Sequence, residues 1–249
     1  MTKDIVLGVD IGGSGIKGAL VNIKTGELVS ERFRLETPQP ANPKNVTETF
    51  IKVVEHFNYK GPIGCGFPAV MKKGVAFTAS NIHKDWIGTN TAALFSKASG
   101  CEVVVLNDAD VAGVAEVTFG VGAKVDGTVI LITIGTGLGS AIFLDGKLLP
   151  NTEFGHVYLK GHKEVAERYA SNSARKRADL KYDEWALRFK KYLDHLQFLF
   201  TPDLFILGGG ASKKYTKYNQ ILETIRTPIK TAEMLNEAGI IGAAICAVK

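Results

Sequence analysis

Short apolar runs alternate along the chain with segments whose apolar residues recur at helical spacing, a pattern typical of an α/β protein. Runs at 102–106 and 203–207, each apolar after its first residue, predict buried strands. Helical spacing predicts helices at 45–57, 89–99, 109–119, 181–200 and 237–249. The last of these is rich in Gly and Ala, which suits close packing against a neighbouring element.

Two segments about half a chain apart follow one plan of strand, glycine-rich bend, strand, glycine turn and strand. Residues 4–29 bend at Gly12-Gly13-Ser14-Gly15, and residues 128–149 bend at the sequence GTGLGS, which begins at Gly135. A single repeat at this distance predicts two similar lobes and not a solenoid.

The repeat suggests how the chain is divided into lobes, each with a mixed sheet flanked by helices. We expect an N-terminal lobe of residues 1–108, completed by the helix at 237–249, and a C-terminal lobe of residues 109–236. Two facing glycine hairpins, one from each lobe, would make a clamp around a phosphate chain.

The first bend contains the pattern G-x-G-x-x-G at residues 13–18, which can mark the start of a dinucleotide-binding helix. No helical spacing follows it, because residues 19–23 form a short β-type run that ends in a turn at Gly26. Lys17 is followed by Gly18 and not by Ser or Thr, so a Walker loop is excluded as well. We therefore expect a β-hairpin whose glycines let backbone N–H groups approach a ligand closely.

The composition is that of a soluble globular protein, with 249 residues, 45% hydrophobic and 22% charged. No apolar run approaches the roughly 20 residues that span a bilayer, and the chain enters a strand too early for a signal peptide. Cys65, Cys101 and Cys246 are isolated, which is typical of reduced thiols and not of disulfides or a zinc site. We expect a cytoplasmic protein that has no membrane partner.

The net charge of +5 and the pI near 9.0 favour a polyanionic partner, although ordinary surface lysines explain them equally well. Nucleotide, polyphosphate and nucleic acid are the candidate polyanions. The aromatic residues are not interleaved with the basic ones in a nucleic-acid-binding motif, so we expect no nucleic-acid partner.

Six segments, taken together, resemble the ROK family of sugar kinases and sugar-responsive repressors. They are DIGGSGIKGA, LNDADVAGVAE, ITIGTGLGSAIF, EFGH, FLFTPDLFILGGGASKK and NEAGIIGAA, in this order from about residue 4 to the C-terminus. Within the family they are most similar to the polyphosphate glucokinases. The resemblance implies an actin-like (ribonuclease H-like) duplicated fold and a homodimer.

The activity that the resemblance implies is Mg²⁺-dependent phosphorylation of the 6-hydroxyl of glucose by inorganic polyphosphate, with ATP as a second candidate donor. The alternatives are an ATP-dependent kinase for another hexose, such as mannose or an N-acetylated sugar, and a non-catalytic sugar-binding protein. Family repressors carry a helix-turn-helix domain before the first strand. Only nine residues precede Asp10 here, so we do not expect one.

Asp108 is the candidate general base. It follows a predicted buried strand, and open α/β sheets bind ligands at the carboxyl ends of their strands. A carboxylate there could accept the proton of the attacking sugar hydroxyl. By its position alone, Asp108 could equally be the cap of the helix that begins at Ala109. The resemblance favours the catalytic role and implies that Asn107 holds the sugar.

The resemblance also implies a set of sugar contacts in and after the EFGH segment. Glu153 and His156 would bond sugar hydroxyls, which need both donors and acceptors. Glu167 lies in a run similar to Glu-x-Tyr-Ala-Ser and would also bond a sugar hydroxyl. Its alternative role is that of an exposed helix residue that pairs with a cation. Most relatives have a zinc-binding, Cys-rich loop after this motif. This sequence has no Cys there, so no zinc is expected.

Asn81 and Trp86 lie where the family has a sugar-pocket loop, although Trp86 could equally be a core residue. The basic run of Arg175, Lys176, Arg177 and Lys181 is typical of a solvated helix face. Its alternative role is to supply positive charge along a polyphosphate chain.

The donor contacts implied by the resemblance involve both hairpins and a third glycine run. Asp10 would hold Mg²⁺, which prefers one or two carboxylates together with phosphate oxygens. Alternatively, Asp10 would have a purely structural role, in which it accepts hydrogen bonds from the hairpin N–H groups. Lys17 would reach the transferred phosphate. The remaining candidates are backbone-rich loop residues: Gly12, Gly13, Ser14, Gly15, Gly135, Thr136, Gly137, Gly139, Gly208, Gly209 and Gly210. The last three could instead form a plain strand-to-helix turn.

Overall fold

The computed structural model describes residues 4–80 and 82–248. The strands of its first part are β1 (Ile5–Ile11), β2 (Ile16–Asn22), β3 (Phe33–Leu35), β4 (Ile63–Phe67), β5 (Met71–Lys72), β6 (Val75–Ala76) and β7 (Val103–Asn107). β5 and β6 pair with each other, and the others form a five-stranded sheet in the order β3-β2-β1-β4-β7. β1 is antiparallel to β2 and parallel to β4, so the sheet is mixed, as predicted.

A second five-stranded sheet repeats this arrangement. Its strands are β8 (Thr128–Ile134), β9 (Leu138–Leu144), β10 (Lys147–Leu149), β11 (Leu204–Gly208) and β12 (Ile229–Thr231). Their order is β10-β9-β8-β11-β12, with β8 antiparallel to β9 and parallel to β11. The duplication predicted from the two glycine bends is therefore confirmed strand by strand.

The helices of the described residues are α1 (Pro43–His56), α2 (Thr91–Ser99), α3 (Asp108–Thr118), α4 (Ala166–Ala170), α5 (Asn172–Arg177), α6 (Tyr182–Phe200), α7 (Asn219–Leu222) and α8 (Ala238–Cys246). α2 begins two residues later than its pattern predicted because the Asn90 side chain accepts the N–H of Ala93 and caps the helix. It ends at Gly100, which adopts the left-handed conformation at φ 69°.

The third strand of the first sheet, expected directly after the turn at Gly26, begins only at Phe33. Leu28 makes only an isolated bridge to Val21. The Ser30 Oγ accepts the N–H of Leu20 at 3.0 Å, so a side chain takes the place of a ladder carbonyl at this point. Regular pairing resumes only at Phe33, opposite Gly18.

The chain divides into two compact units, Met1–Ala115 with Asn236–Lys249 and Glu116–Leu235. In the first unit, α8 packs so closely on the sheet that glycine is required on the strands. A methyl group at Gly8 would collide with the carbonyl of Ile240, and one at Gly64 with the carbonyl of Ala243. The small residues of α8 therefore bring the end of the chain against β1 and β4.

Each unit has its own core. The core of the first unit includes a buried aromatic group, in which Phe50 stacks on Phe95 with the ring centroids 4.3 Å apart. The second buries the apolar face of α6, including Trp185 and Phe189. In the part of the chain that the structure describes, no helix combines the length and the apolar character needed to cross a membrane.

Candidate active site

The carboxyl ends of β1, β4 and β7 bring two carboxylates close together. The register places Asp10 beside Gly66 and Gly66 beside Leu106, two residues before Asp108. A Cβ built on Gly66 would lie 3.8 Å from both Asp10 Oδ1 and Asp108 Cα. These two atoms are therefore no more than about 7.6 Å apart. The same Cβ would lie 2.8 Å from Val111 Cγ2, so only a glycine fits at this position between the two acidic residues.

Asp10 is held from two sides. Its Oδ2 lies 3.2 Å from the Nζ of Lys17, directly opposite it on β2, and both side chains are mostly buried. A Cβ at Gly239, near the start of α8, would lie 2.9 Å from Asp10 Cγ. The end of the chain thus fixes where this carboxylate can lie.

The first hairpin loop is open on its outer side. Gly12 N–H bonds to Gly15 O at 3.0 Å and closes the loop, whereas a Cβ at Gly13 would have no neighbour within 4 Å. Arg34, opposite Lys17 on β3, donates from Nη2 to Ser14 O at 2.7 Å. Two cations, Lys17 and Arg34, therefore lie beside a loop whose backbone is accessible, which is suitable for an anion.

Asn107 and Asp108 form the start of α3. The Asn107 Oδ1 accepts the N–H groups of Ala109 and Asp110, and its Nδ2 donates to Ala69 O at 3.2 Å. Asp108 Oδ1 also accepts the Ala109 N–H, at 2.8 Å. Asn107 therefore has a structural role at the helix start and is only 8% exposed. Asp108 is more exposed than Asn107, and its Oδ1 helps to cap the start of α3.

The second hairpin loop is one residue shorter, 135–137 against 12–15, and the last residue pairs of its strands are uncharged. Gly135 N–H bonds to Gly137 O at 3.1 Å, and a Cβ at Gly135 would meet nothing within 4 Å. The position that matches Asp10 is Thr133, which pairs with Gly139 where the first sheet pairs Asp10 with Lys17.

Three predicted sugar contacts come together next to this second loop. His156 Nδ1 lies 3.7 Å from Glu153 Oε2, and His156 Nε2 lies 3.9 Å from Glu167 Oε1. Glu167 Oε2 accepts the N–H of Leu138 at 3.4 Å and fills the space beside Gly137. Burial, reinforced by Glu167, raises the pKa of Glu153, and His156 opposes the rise.

Tyr192 of α6 is the nearby group that the sequence pattern did not single out. Its side chain is fully buried, and its hydroxyl has no hydrogen-bond partner among the described residues. Burial and the charges of Glu153 and Glu167 raise its pKa, so the hydroxyl keeps its proton next to the two carboxylates. The only sequence signal was a phenol on an otherwise apolar helix face.

The third glycine run follows β11. Gly208 is the last residue of the strand, and Gly209 adopts φ 79°, where a Cβ would lie 2.6 Å from Ile134 N. Gly210 is open, with nothing within 4 Å of a Cβ. The left-handed turn and its close packing therefore require glycine at position 209. No packing contact requires glycine at position 210.

Trp86 is a core residue, the second of the two roles that its sequence position allowed. It is fully buried against Phe67 at 4.7 Å, and its indole N–H donates to Ala41 O at 2.9 Å. Asn81, the other residue expected in the sugar-pocket loop, lies outside the described residues. A cavity of about 280 Å³ lies nearby, lined by Gly13, Thr37, Pro68, Ser80 and His83 among others.

Comparison with known proteins identifies the family. The sequence profile of the ROK family matches residues 6–169. The chain belongs to the ROK family. A ROK relative, the polyphosphate glucokinase of Mycobacterium tuberculosis, is 46% identical over 242 residues, covering 97% of this chain and 90% of the relative. The family predicted from the six segments is thus confirmed.

Solved structures agree. A crystal structure of an inorganic polyphosphate/ATP-glucomannokinase from Arthrobacter sp. strain KM matches with a TM-score of 0.93 and 46% identity, covering 99% of both chains. A ROK glucokinase from Streptomyces griseus, in complex with glucose and AMPPNP, matches with a TM-score of 0.80 and 26% identity, covering 98% of this chain and 99% of the other. The predicted actin-like, duplicated fold is confirmed by these ROK structures.

Proposed function

We propose that this ROK protein is a glucokinase that transfers a phosphoryl group from inorganic polyphosphate to the 6-hydroxyl of glucose. The observation that carries the proposal is the pair of carboxylates at the carboxyl ends of β1 and β7, with Lys17 on one of them. The relatives that are 46% identical are named for this activity, and one of them for polyphosphate and ATP together. We therefore include ATP as a second donor.

Asp108 is the general base in this proposal. As the glucose oxygen forms its bond to phosphorus, the hydroxyl proton passes to the Asp108 carboxylate and the bond to the leaving phosphate breaks. The hydrogen bond from Ala109 N–H to Oδ1 orients the carboxylate, so the capping role and the catalytic role are compatible. Asn107 supports this residue by fixing the start of α3, and a sugar contact through its remaining amide hydrogen is part of the proposal.

Glu153, His156 and Glu167 are the proposed contacts to the other sugar hydroxyls. Two carboxylates, each within 4 Å of the same imidazole, suit a sugar, whose hydroxyls both donate and accept. Trp86 contributes through packing, because its buried indole N–H donates to the carbonyl of Ala41 and holds that segment against the core. Asn81 stays in the proposal on its sequence position alone.

Asp10 fits the requirement of Mg²⁺ for one or two carboxylates with phosphate oxygens and water. The described residues hold no group of three or more acidic, His or Cys side chains that would make a complete metal site, so phosphates would supply the remaining ligands. The ion would neutralise charge on the transferring phosphates. Lys17 and Arg34 would add positive charge from the protein.

The donor phosphates are assigned to the hairpin backbones. Gly12, Gly13, Ser14 and Gly15 form the first loop, and in the second Thr136 is exposed and Gly135 has open space where a Cβ would lie. The Glu167 carboxylate beside Gly137 would repel a phosphate there, so Gly137 and the strand residue Gly139 serve to shape the loop. Gly208 and Gly209 shape the third turn, and Gly210 leaves room for a further phosphate or a nucleotide base.

Three further features belong to the proposal. A homodimer is supported by the family resemblance and by an exposed apolar end of α6, where Phe198 is 83% exposed. A cytoplasmic location is supported by the burial of the unpaired thiols of Cys65 and Cys101. Mannose as a second sugar is supported by the name of the Arthrobacter relative.

The experiment is phosphorylation of glucose by the purified protein with Mg²⁺, comparing long-chain polyphosphate with ATP. Glucose 6-phosphate formed from polyphosphate is the expected result. Formation from ATP alone would overturn the donor assignment, and phosphorylation of mannose or an N-acetylated hexose in place of glucose would overturn the sugar assignment.

A further inference from the structure

Positive charge is concentrated in one segment of the second unit. Residues 160–191 contain ten Lys or Arg and five Asp or Glu, a formal net charge of +5 that equals that of the whole chain. The segment includes α4, α5 and the first half of α6. The basic run noticed in the sequence is therefore part of a larger cationic surface.

Two of its cations meet on one aromatic ring. The Arg175 guanidinium carbon lies 4.3 Å from the ring centre of Tyr182, and the Nζ of Lys217 lies 5.8 Å from the same centre. These two charges are therefore at most about 10 Å apart, comparable with the Debye length at moderate salt. Lys217 comes from the 3₁₀ turn at 212–217, so the chain brings in a cation that is distant in sequence.

The cations continue from α5 to α4 and α6. Arg177 donates from Nη2 to the carbonyl of Arg168 at 2.7 Å, which ties α5 to α4. Arg188 of α6 lies 4.9 Å from the ring centre of Tyr169. We call this set of positive residues on α4, α5, α6 and the 212–217 turn the cation track: Arg168, Arg175, Lys176, Arg177, Arg188, Lys191 and Lys217.

No ion pair joins a cation of the track to an Asp or Glu within the described ranges, 4–80 and 82–248. The contrast on α6 is direct. Lys190 pairs with Asp194 at 2.7 Å, whereas the adjacent Lys191 hydrogen-bonds only to His162 and to the carbonyl of Lys160. The charge of the track is thus not neutralised by the protein's own carboxylates.

The track begins at the second glycine hairpin. Ser173 N–H, in the first turn of α5, bonds to the carbonyl of Gly135 at 3.2 Å. The same helix carries Arg175, Lys176 and Arg177 in its last turn. A linear anion with one end at Gly135 and Thr136 would therefore meet the track as it leaves the loop.

We infer that the cation track binds the part of the polyphosphate chain that extends beyond the reacting phosphates. The inference rests on the proposed function and adds a second binding surface to it. A long polyanion would contact several cations and release counterions, whereas ATP, with three phosphates, would contact fewer of them. The track thereby favours long-chain polyphosphate over short donors.

Polyphosphate fits this surface better than a nucleic acid does. Single-stranded nucleic acids bind by stacking their bases on accessible aromatic rings. Here the Tyr182 ring is already contacted by Arg175 and Lys217, and the Tyr169 ring by Arg188 and by His162 at 4.0 Å. A polyphosphate has no bases and needs only the positive charge.

The test compares the variants Arg168→Gln, Lys217→Gln and their combination with the control Lys190→Gln, which also removes one positive charge, but one that is paired. Initial rates are measured with long-chain polyphosphate, tripolyphosphate and ATP at several salt concentrations. Melting temperatures check that each variant is folded. We expect the KM for long-chain polyphosphate to rise about two- to fivefold for each track cation removed, with kcat and the KM for ATP unchanged.

Salt dependence gives the second measurement. The slope of log KM against log salt for long-chain polyphosphate should fall by about 0.7 for each track cation removed and stay constant in Lys190→Gln. Equal KM values in wild type and the double variant would overturn the track and leave the proposed function intact. A wild-type protein inactive with every polyphosphate would instead overturn the proposed donor. If single-stranded DNA inhibited the reaction as strongly as unreactive polyanions of equal charge do, the proposed preference for a chain without bases would be contradicted.

Discussion

The two glycine hairpins join equivalent strand pairs through loops of different length, and they have different chemistry at the point where strand meets loop. In the first, Asp10 faces Lys17, and Arg34 lies on the next strand. In the second, the matching pair is Thr133 and Gly139, and the third strand pairs farther from the loop. Both loops are open to an anion, but only the first has charged groups that could take part in phosphoryl transfer.

The strands next to the hairpins extend the contrast. In the first sheet, β7 ends at Asn107 and leads into Asp108, and Gly66 lies beside both acidic residues. In the second, β12 ends at Thr231, and Met234 N–H, three residues later, bonds to the buried Glu116. Duplication therefore supplied one scaffold twice, and the proposed chemistry uses only the first copy. In the proposed function, the second copy would provide a loop for phosphates and the Glu153 cluster for the sugar.

The largest expected effect is that of Asp108→Asn. The variant keeps the fold and a hydrogen-bond acceptor for Ala109 N–H but loses the base, so kcat should fall by about 10²- to 10⁴-fold. Asp126→Asn, in an exposed loop, is the matched control and should retain wild-type kcat. Near-normal turnover by Asp108→Asn would reduce Asp108 to a helix cap and remove the main difference between the two sheets.

Gly239→Ala tests the position of Asp10. The added methyl group would lie 2.9 Å from Asp10 Cγ and displace the carboxylate. Ala is a better helix former than Gly by about 1 kcal/mol, so a loss of activity could not result from a weaker helix. We expect at least a tenfold loss of kcat/KM and a higher Mg²⁺ requirement. Unchanged Mg²⁺ dependence would contradict the assigned role of Asp10.

Gly13→Ala and Gly135→Ala test what the hairpins have in common. Neither methyl group would touch a protein atom within 4 Å, so the melting temperatures should not fall. A methyl group in either open loop would hinder phosphate contact with the backbone, and the KM for the donor should rise several-fold in both variants. An effect in Gly13→Ala alone would show that the second loop does not contact the donor.

The pH dependence of glucose binding tests the Glu153 cluster. Burial raises the pKa of Glu153 above its ordinary value of 4.5, so the carboxylate takes up its proton at a higher pH than an exposed Glu does. The protonated form accepts sugar hydroxyls less well. The KM for glucose should therefore rise as the pH falls through this raised pKa. Glu153→Gln should have a high KM and lack this rise, and a pH dependence identical to wild type would contradict the assignment.

The smallest effect concerns Tyr192. Its hydroxyl is buried without a partner among the described residues, so Tyr192→Phe should leave the free energy of unfolding unchanged or raise it by about 1 kcal/mol. Tyr218→Phe is the control, because the buried Tyr218 hydroxyl donates to Ala211 O at 3.2 Å and its loss should cost about 1 kcal/mol. Urea denaturation midpoints compare the two. Equal destabilisation by both would contradict the absence of a partner at Tyr192.

Sequence patterns predicted the features whose signals are local. The hairpins follow from β-type runs that flank glycines, and α6 follows from its apolar spacing. Contacts between distant segments left no such signal. Arg34 reaches the first loop only because β3 pairs with β2, and Gly239 touches Asp10 only because α8 packs on β1 from the other end of the chain. Trp86 was ambiguous for the same reason, since its burial depends on packing against Phe67 and Phe95.

One pair of glucose saturation curves tests the division between chemistry in the first sheet and sugar binding in the second unit. Initial rates of Asp108→Asn and Glu153→Gln are measured side by side with polyphosphate as the donor. We expect Asp108→Asn to lower the plateau rate and leave the half-saturating glucose concentration unchanged, and Glu153→Gln to raise that concentration with a much smaller change in the plateau. The reverse pattern, or the same pattern in both variants, would contradict the division.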